Sequence, residues 1–157
     1  MNAKKTTLPF IIMVIGTLLM IGSFFLPYTT AKLSLFEFFN TYRVEAGNKA
    51  NERDVRLICI ICTVIIGAIA FFGFFVLLCT LLRAPIATIV FTVLEFAANS
   101  VLSWDFKERR VAGSSYSFSI GYYLLEISLM VIIAASIWLL VMKIKNKKAL
   151  NISESSV

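Results

Sequence analysis

Four long apolar stretches constrain the fold of this chain more than any other feature of its sequence. They cover residues 10–26, 57–82, 84–103 and 120–142, and 59% of the chain is hydrophobic. A helix needs about 20 predominantly apolar residues to cross a hydrocarbon core that is roughly 30 Å thick. Each stretch reaches or approaches that length. The sequence therefore predicts an all-α membrane protein, in which four transmembrane helices form one antiparallel bundle within a single domain, residues 1–157.

The first apolar stretch has an alternative interpretation as a secretory signal peptide. Lys4 and Lys5 precede it, and Thr29-Thr30-Ala31 supplies small residues behind it. The apolar run is longer than the core of a usual signal peptide. We therefore predict a membrane helix, which ends before Pro27 because a proline disfavours helical geometry in the residue that precedes it.

The basic residues predict how the chain is oriented in the membrane. With both termini inside, the loops 27–56 and 104–119 lie outside, and their basic residues alternate with acidic ones. The inner segments are short and carry only basic charges beside the helix ends: Lys4, Lys5, Arg83, Lys143, Lys145, Lys147 and Lys148. Such short basic segments remain in the cytoplasm. The sequence predicts a multi-pass protein of the cell membrane with cytoplasmic termini, including the tail 143–157.

The first outer loop contains two competing patterns. Ala31, Leu33 and Leu35 alternate with polar residues, as in a short strand. Ser34-Leu35-Phe36-Glu37, however, has the spacing of a capping box that begins a helix. The two interpretations overlap at residues 33–35. We predict a short interfacial helix after them that ends near Gly47.

The second outer loop has the pattern of a hairpin. Apolar residues alternate with serines from Ser115 onward, and Ala112-Gly113-Ser114 supplies turn residues. The predicted hairpin joins residues 104–110 to residues 115–120. Paired with the strand near residues 30–34, it would form a small extracellular sheet over the helices.

Glu95 and Glu126 are ionisable residues inside predicted membrane helices, where a charge costs roughly 3 kcal/mol on insertion scales. Glu95 lies nine residues before Trp104, and Glu126 lies eight residues after Phe118, so their depths are similar. If the two carboxyls face each other, they share a proton or hold a cation. Three further polar residues then complete a binding pocket: Asn99, Tyr122 and Tyr123. The alternative is that each glutamic acid is protonated and hydrogen-bonds a neighbouring helix.

Cys59-Ile60-Ile61-Cys62 has the spacing of a redox pair near the outer end of the second apolar stretch. In this respect the chain resembles the quinone-linked disulfide-forming membrane proteins and the vitamin K epoxide reductase family. That resemblance implies a thiol oxidoreductase with a second cysteine pair in an outer loop. Neither outer loop here contains a cysteine, and Cys79 lies near the inner end of the same helix. The alternative is that these cysteines are small apolar residues of the helix.

Two short motifs are similar to those of small tetraspan membrane proteins of Gram-positive bacteria. They are Phe25-Leu26-Pro27-Tyr28 at the end of the first predicted helix and Gly121-Tyr122-Tyr123-Leu124-Leu125 at the start of the last. A sheet above four helices also resembles the claudin-like architecture, although the paired loop cysteines of claudins are absent. These resemblances imply an architecture and no specific activity.

The residue types that the sequence lacks exclude several classes of enzyme and metal site. The chain has no histidine, which removes most zinc sites, Ser-His-Asp triads and Cys-His dyads, and it has no phosphate-binding glycine loop. We predict no cofactor, no metal and no nucleic-acid partner, since the net charge of +6 is scattered along the chain.

The leading functional hypothesis is a non-catalytic membrane protein. It would bind membrane lipid, a partner protein or a second copy of itself through its outer aromatic residues or its helix faces. Two alternatives stand beside it. One is a thiol oxidoreductase that uses Cys59 and Cys62, and the other is an ion- or proton-coupled carrier that uses Glu95 and Glu126.

Overall fold

Five helices make up most of the computed structural model, which describes residues 3–109 and 117–154, with side chains over 7–108 and 117–147. Their bounds are α1 Ala3–Ser23, α2 Leu35–Gly47, α3 Arg53–Leu81, α4 Pro85–Arg109 and α5 Ile120–Glu154. By length and composition α3, α4 and α5 are able to cross a membrane, whereas the apolar helix Thr7–Ser23 is shorter. The prediction of an all-α protein of membrane type is confirmed, and three of the four predicted spans meet the length criterion.

The start of α2 follows the predicted capping box. The Glu37 backbone N–H donates to the Ser34 hydroxyl at 3.3 Å, and the Ser34 backbone N–H donates to the Glu37 carboxylate at 2.7 Å. Ser34 is therefore the N-cap, and the helix begins at Leu35. This decides the competition for residues 33–35 in favour of the helix, which ends at Gly47 as predicted.

The predicted hairpin is wrong in the residues that the structure describes. Residues 104–109, its proposed first strand, continue α4, because Leu102 and Phe106 are both buried at helical spacing. The proposed turn at 112–114 lies outside the described residues. Described residues contain no strand, only two isolated bridges, Pro27–Ser34 and Thr29–Phe118.

The second of these bridges keeps part of the predicted pairing. The backbone N–H of Thr30 donates to the carbonyl of Ser117 at 3.0 Å, and that of Ser119 donates to Tyr28 at 3.0 Å. A Cβ on Gly121 would lie 2.7 Å from the Leu26 carbonyl oxygen, so only glycine allows this close approach. Residues 117–121 thus pack against residues 26–30, the segment that follows α1.

The helices pack in pairs. α1 packs mainly on α5 and α3 mainly on α4, while further contacts join α4 to α5, α1 to α3 and α2 to α3. The tight connection between α3 and α4 is held by Arg83, which has a positive φ of 52°. Its carbonyl accepts a bond from Lys143 Nζ at 2.6 Å, and its guanidinium lies 4.3 Å from the centre of the Phe10 ring. We call this the turn end of the molecule, and we call the end with Pro27, Ser34 and Phe118 the loop end.

The distribution of side chains differs from that in a water-soluble protein, although an apolar core is buried here too. Large apolar residues are exposed along every helix, and only 28–39% of the residues in the three candidate spans are buried. Several polar residues are buried instead, among them Thr17, Thr80, Thr88, Thr92, Glu95 and Asn99. Continuous apolar surface of this extent suits hydrocarbon surroundings.

Candidate functional site

One face of α4 carries polar side chains into the interior. Thr88, Thr92, Glu95, Asn99 and Ser103 are spaced by three or four residues, so they share one side of the helix, and all five are buried. The threonine hydroxyls donate to their own helix, Thr88 to Ala84 at 3.0 Å and Thr92 to Thr88 at 2.7 Å, and the Ser103 hydroxyl donates to Ser100 at 2.9 Å. Ser103 also hydrogen-bonds Tyr122 of α5, and Asn99 and Glu95 approach other parts of the protein as well.

Asn99 lies at the centre of a hydrogen-bonded chain between three parts of the protein. The Tyr28 hydroxyl donates to Asn99 Oδ1 at 2.8 Å, and Asn99 Nδ2 donates to Glu126 Oε1 at 2.6 Å. Tyr28 and Asn99 are fully buried, and Glu126 is partly buried. The predicted site residues Asn99 and Glu126 are therefore in contact, and their bond joins α4 to α5.

Aromatic rings surround Tyr28 at the loop end. Phe106, Phe118 and Tyr122 meet its ring edge-on, with centroids 6.0, 5.9 and 5.5 Å away. Phe118 and Tyr122 stack on each other at 4.0 Å. Tyr123 meets the Tyr122 ring edge-on at 5.3 Å and is 55% exposed. Of the two tyrosines predicted for the pocket, Tyr122 packs on Tyr28, whereas Tyr123 touches only the outer side of this cluster through Tyr122.

Glu95 has different surroundings from Glu126. Its side chain is fully buried, and neither carboxyl oxygen has a hydrogen-bond partner among the described residues. A Cβ built on Gly73 of α3 would lie 3.1 Å from Glu95 Oε1 and 3.3 Å from Met20 Cε of α1. The absence of a side chain at Gly73 therefore makes room for the carboxyl. No hydrogen bond joins Glu95 to Glu126, so a carrier mechanism would use the two groups separately.

A groove runs along the molecular surface between α1 and α3. Its cavity volume is about 310 Å³. Phe25, Phe36 and Phe74 stand at its mouth with exposed fractions of 66%, 54% and 60%. Its lining is apolar throughout: Met20, Ile21, Phe24, Phe25, Phe36, Ala70, Gly73, Phe74 and Leu77. We call this the α1–α3 groove; sequence reasoning missed it because its walls come from three separate segments.

The cysteine pair lies on the buried face of α3. Cys59, Cys62 and Cys79 are buried thiols, and Cys62 Sγ lies 3.5 Å from the Asp105 carboxylate, to which it donates. Cys79 is 17 residues from Cys62, or about 25 Å along the helix. No described cysteine is therefore placed to exchange with the pair, and this geometry fits the alternative that the cysteines are small packing residues. Asp105, assigned to an outer loop from the sequence, is instead a buried residue of α4.

Within the described residues, no group of three or more histidine, cysteine, aspartate or glutamate side chains is close enough to hold a metal ion. No protein-family model matches the chain, and no curated protein and no solved structure matches it either. The geometry of the α1–α3 groove and of the polar interior is the basis for assigning a function.

Proposed function

We propose that this chain is a tetraspan membrane protein that binds a lipid acyl chain in the α1–α3 groove without catalysing a reaction. The observation that carries the proposal is the groove itself, an open cavity of about 310 Å³ whose lining is apolar throughout. Small-molecule sites are concave and mostly apolar, with volumes that begin at about 300 Å³. The groove reaches the lower limit of that range, which suits a narrow ligand such as a single chain.

The surroundings of the groove favour a lipid over a water-soluble ligand. Leu18 and Leu19 of α1 and Phe71 and Leu78 of α3 are exposed on the helices that flank it. Hydrocarbon around such residues would bring lipid chains to the groove at high concentration. A polar ligand would find no hydrogen-bonding group in the lining and would lose its water without replacement.

The tetraspan topology is supported by the two faces of α1. Met13 and Thr17 are buried on one face, whereas Ile11, Ile15 and Leu18 are exposed on the other. The apolar run continues beyond α1 through Leu26, which adds length to the span. An even number of spans then leaves both termini on the side of the turn end, where Arg83 and Lys143 lie. The positive-inside tendency makes this side cytoplasmic.

Filling the groove tests the proposal. Ala70→Phe adds a ring inside the groove, because Ala70 is an exposed residue of its lining. Ala134→Phe adds the same ring to an exposed position of α5 and is the matched control. With the protein in phosphatidylcholine vesicles, electron paramagnetic resonance of a spin-labelled phosphatidylcholine measures the fraction of motionally restricted lipid.

We expect Ala70→Phe to lower the number of restricted lipids per protein by one, while Ala134→Phe leaves it unchanged. Equal numbers for the wild type and both variants would refute the acyl-chain site. Native mass spectrometry of the same samples gives the count of retained lipids independently. It also reports whether a second copy binds, which is the form of association that would replace lipid binding.

A further inference from the structure

The Glu95 carboxyl lies directly behind the α1–α3 groove. It is fully buried, and neither of its oxygens has a hydrogen-bond partner in the described part of the chain. Buried polar groups are nearly always paired, so an acidic group left open in the interior of a native protein needs a reason. A role in packing does not supply one, because Glu95, unlike Glu126, bonds no neighbouring helix among the described residues.

The wall between this carboxyl and the groove is thin at one point. Gly73 lines the groove, and a Cβ at that position would lie only 3.1 Å from Glu95 Oε1. Met20 lines the groove as well, and its terminal Cε borders the same spot at 3.3 Å. A ligand in the groove is thus separated from the carboxyl by a glycine without a side chain and by a flexible methionine. Ala70 and Phe74, the neighbouring α3 residues of the lining, both have side chains.

We propose that the ligand of the α1–α3 groove is a cationic amphiphile, a long-chain amine whose ammonium group bonds the Glu95 carboxylate across Gly73. This proposal rests on the acyl-chain function of the groove and adds the polar group that the ligand carries. A buried carboxylate is stable when it is paired with a cation and hydrogen-bonded. An ammonium group satisfies both conditions, since its bond to a carboxylate is charge-assisted.

Charge explains why an amine is preferred to a neutral chain. No basic side chain of the described residues forms an ion pair or hydrogen bond with Glu95, and the groove lining contains no charged residue. The Glu95 carboxyl, behind Gly73 and Met20, is therefore a polar group close to a ligand that is otherwise in contact with apolar side chains. A fatty alcohol of the same length brings no positive charge, so a carboxylate beside it would stay buried without a counter-charge.

Two photoreactive probes of equal chain length, a primary alkylamine and the corresponding alcohol, separate these cases. Each carries a diazirine in its chain and is added to the full-length protein in phosphatidylcholine nanodiscs. Peptide mass spectrometry then gives the ratio of label in the groove to label on the exposed face of α5. This ratio corrects for the different partitioning of the two probes into the bilayer.

Five proteins are compared: the wild type, Ala70→Phe, Glu95→Gln, Gly73→Ala and Gly67→Ala. Gly67 is the matched control on α3, because a Cβ there would meet only the Phe39 ring at an ordinary 3.7 Å. We expect Glu95→Gln to lower groove labelling by the amine about tenfold, the loss of one charge-assisted bond, without changing labelling by the alcohol. Gly73→Ala should lower amine labelling in the same direction, and Gly67→Ala should leave it at the wild-type level.

The outcomes distinguish this proposal from the function on which it rests. Equal groove labelling by amine and alcohol in the wild type, both abolished by Ala70→Phe, would refute the amine and retain the acyl-chain site. Groove labelling that Ala70→Phe does not reduce would refute both. If Glu95→Gln fails to fold, the contrast between Gly73→Ala and Gly67→Ala decides, since equal amine labelling of these two variants overturns the proposal.

Discussion

Gly73 has a different role from a glycine that only brings two helices together. Its missing side chain leaves space that the Glu95 carboxyl enters from α4 and that Met20 borders from α1. The same glycine forms part of the groove lining. One residue without a Cβ therefore brings an acidic group close to an otherwise apolar surface. The sequence shows that residue 73 is a glycine, but only the packing of α1, α3 and α4 shows which side chain occupies the space beside it.

The Tyr28 hydroxyl is expected to contribute to stability through Asn99. Tyr28→Phe keeps the ring but removes the donor to Asn99 Oδ1, so a buried acceptor loses its bond. We expect a loss of about 1 kcal/mol in the free energy of unfolding, within the range found for bonds between membrane helices. Tyr123→Phe removes a hydroxyl from a half-exposed side chain and is the control. Unfolding in mixed micelles measures both, and an equal effect of the two substitutions would argue against the chain Tyr28–Asn99–Glu126.

At the scale of the element, α2 depends on its first turn. The backbone N–H and then the hydroxyl of Ser34 hydrogen-bond the Glu37 carboxylate, and both bonds lower the pKa of Glu37 below its ordinary value of 4.5. The pKa of Glu37 is lower in the folded helix than in the unfolded chain. Glu37 therefore stabilises α2 fully at pH values above its pKa in the unfolded chain. That stabilisation is lost as the pH falls through the folded pKa.

The capping box therefore predicts a helix that loosens in acid. A spin label at the exposed Thr41 of α2 should gain mobility between neutral pH and about pH 3. Glu37→Gln should remove most of this pH dependence, because the amide oxygen can still accept the bond from Ser34 but does not titrate. Glu52→Gln is the control, because Glu52 is the N-cap of α3 and its side chain forms no capping bond. A wild-type label that is unaffected by pH would contradict the predicted role of Glu37.

The polar face of α4 shows what sequence reasoning could have found and did not. The sequence places Glu95 and Asn99 in one predicted pocket with residues of α5, but that prediction does not extend to the other polar residues on the same side of α4. Thr88, Thr92 and Ser103 continue the same face at spacings of three and four. A helix whose polar side chains fall on one side in a lipid environment turns that side inward. The spacing alone thus indicates the buried face, whereas the partner of each polar group depends on tertiary packing.

Over the whole molecule, the sequence predicts what depends on length, composition and local capping. Three long apolar helices follow from the hydrophobic stretches, and α2 follows from Ser34 and Glu37. The hairpin failed where two periodicities were superimposed: Trp104 to Lys107 fits an alternating pattern, but Leu102 and Phe106 are buried by the helical one. The α1–α3 groove could not be predicted from the sequence, since residues of α1, α2 and α3 line it together. Long-range packing, not local preference, creates the proposed binding surface.

Whether α1 crosses the membrane determines the side on which the N-terminus lies. If α1 spans, Lys5 and Lys147 lie on the same side, and Lys49, in the connection between α2 and α3, lies on the other. If only α3, α4 and α5 span, Lys5 and Lys147 lie on opposite sides, because three crossings separate them. Single cysteines at these positions distinguish the two topologies, and the native protein, whose cysteines are all buried, is the control.

We expect a membrane-impermeant maleimide to label Lys49→Cys in intact cells, and to label Lys5→Cys and Lys147→Cys only after permeabilisation. We expect α1 to cross the membrane because its exposed face is apolar and includes Ile11 and Ile15. Exposure of such a face to water is unfavourable. If Lys5→Cys were labelled in intact cells while Lys147→Cys was protected, α1 would not cross the bilayer. The α1–α3 groove would then face water, and an acyl chain would no longer be its ligand. Both the tetraspan topology and the acyl-chain proposal therefore require that α1 lies in the membrane.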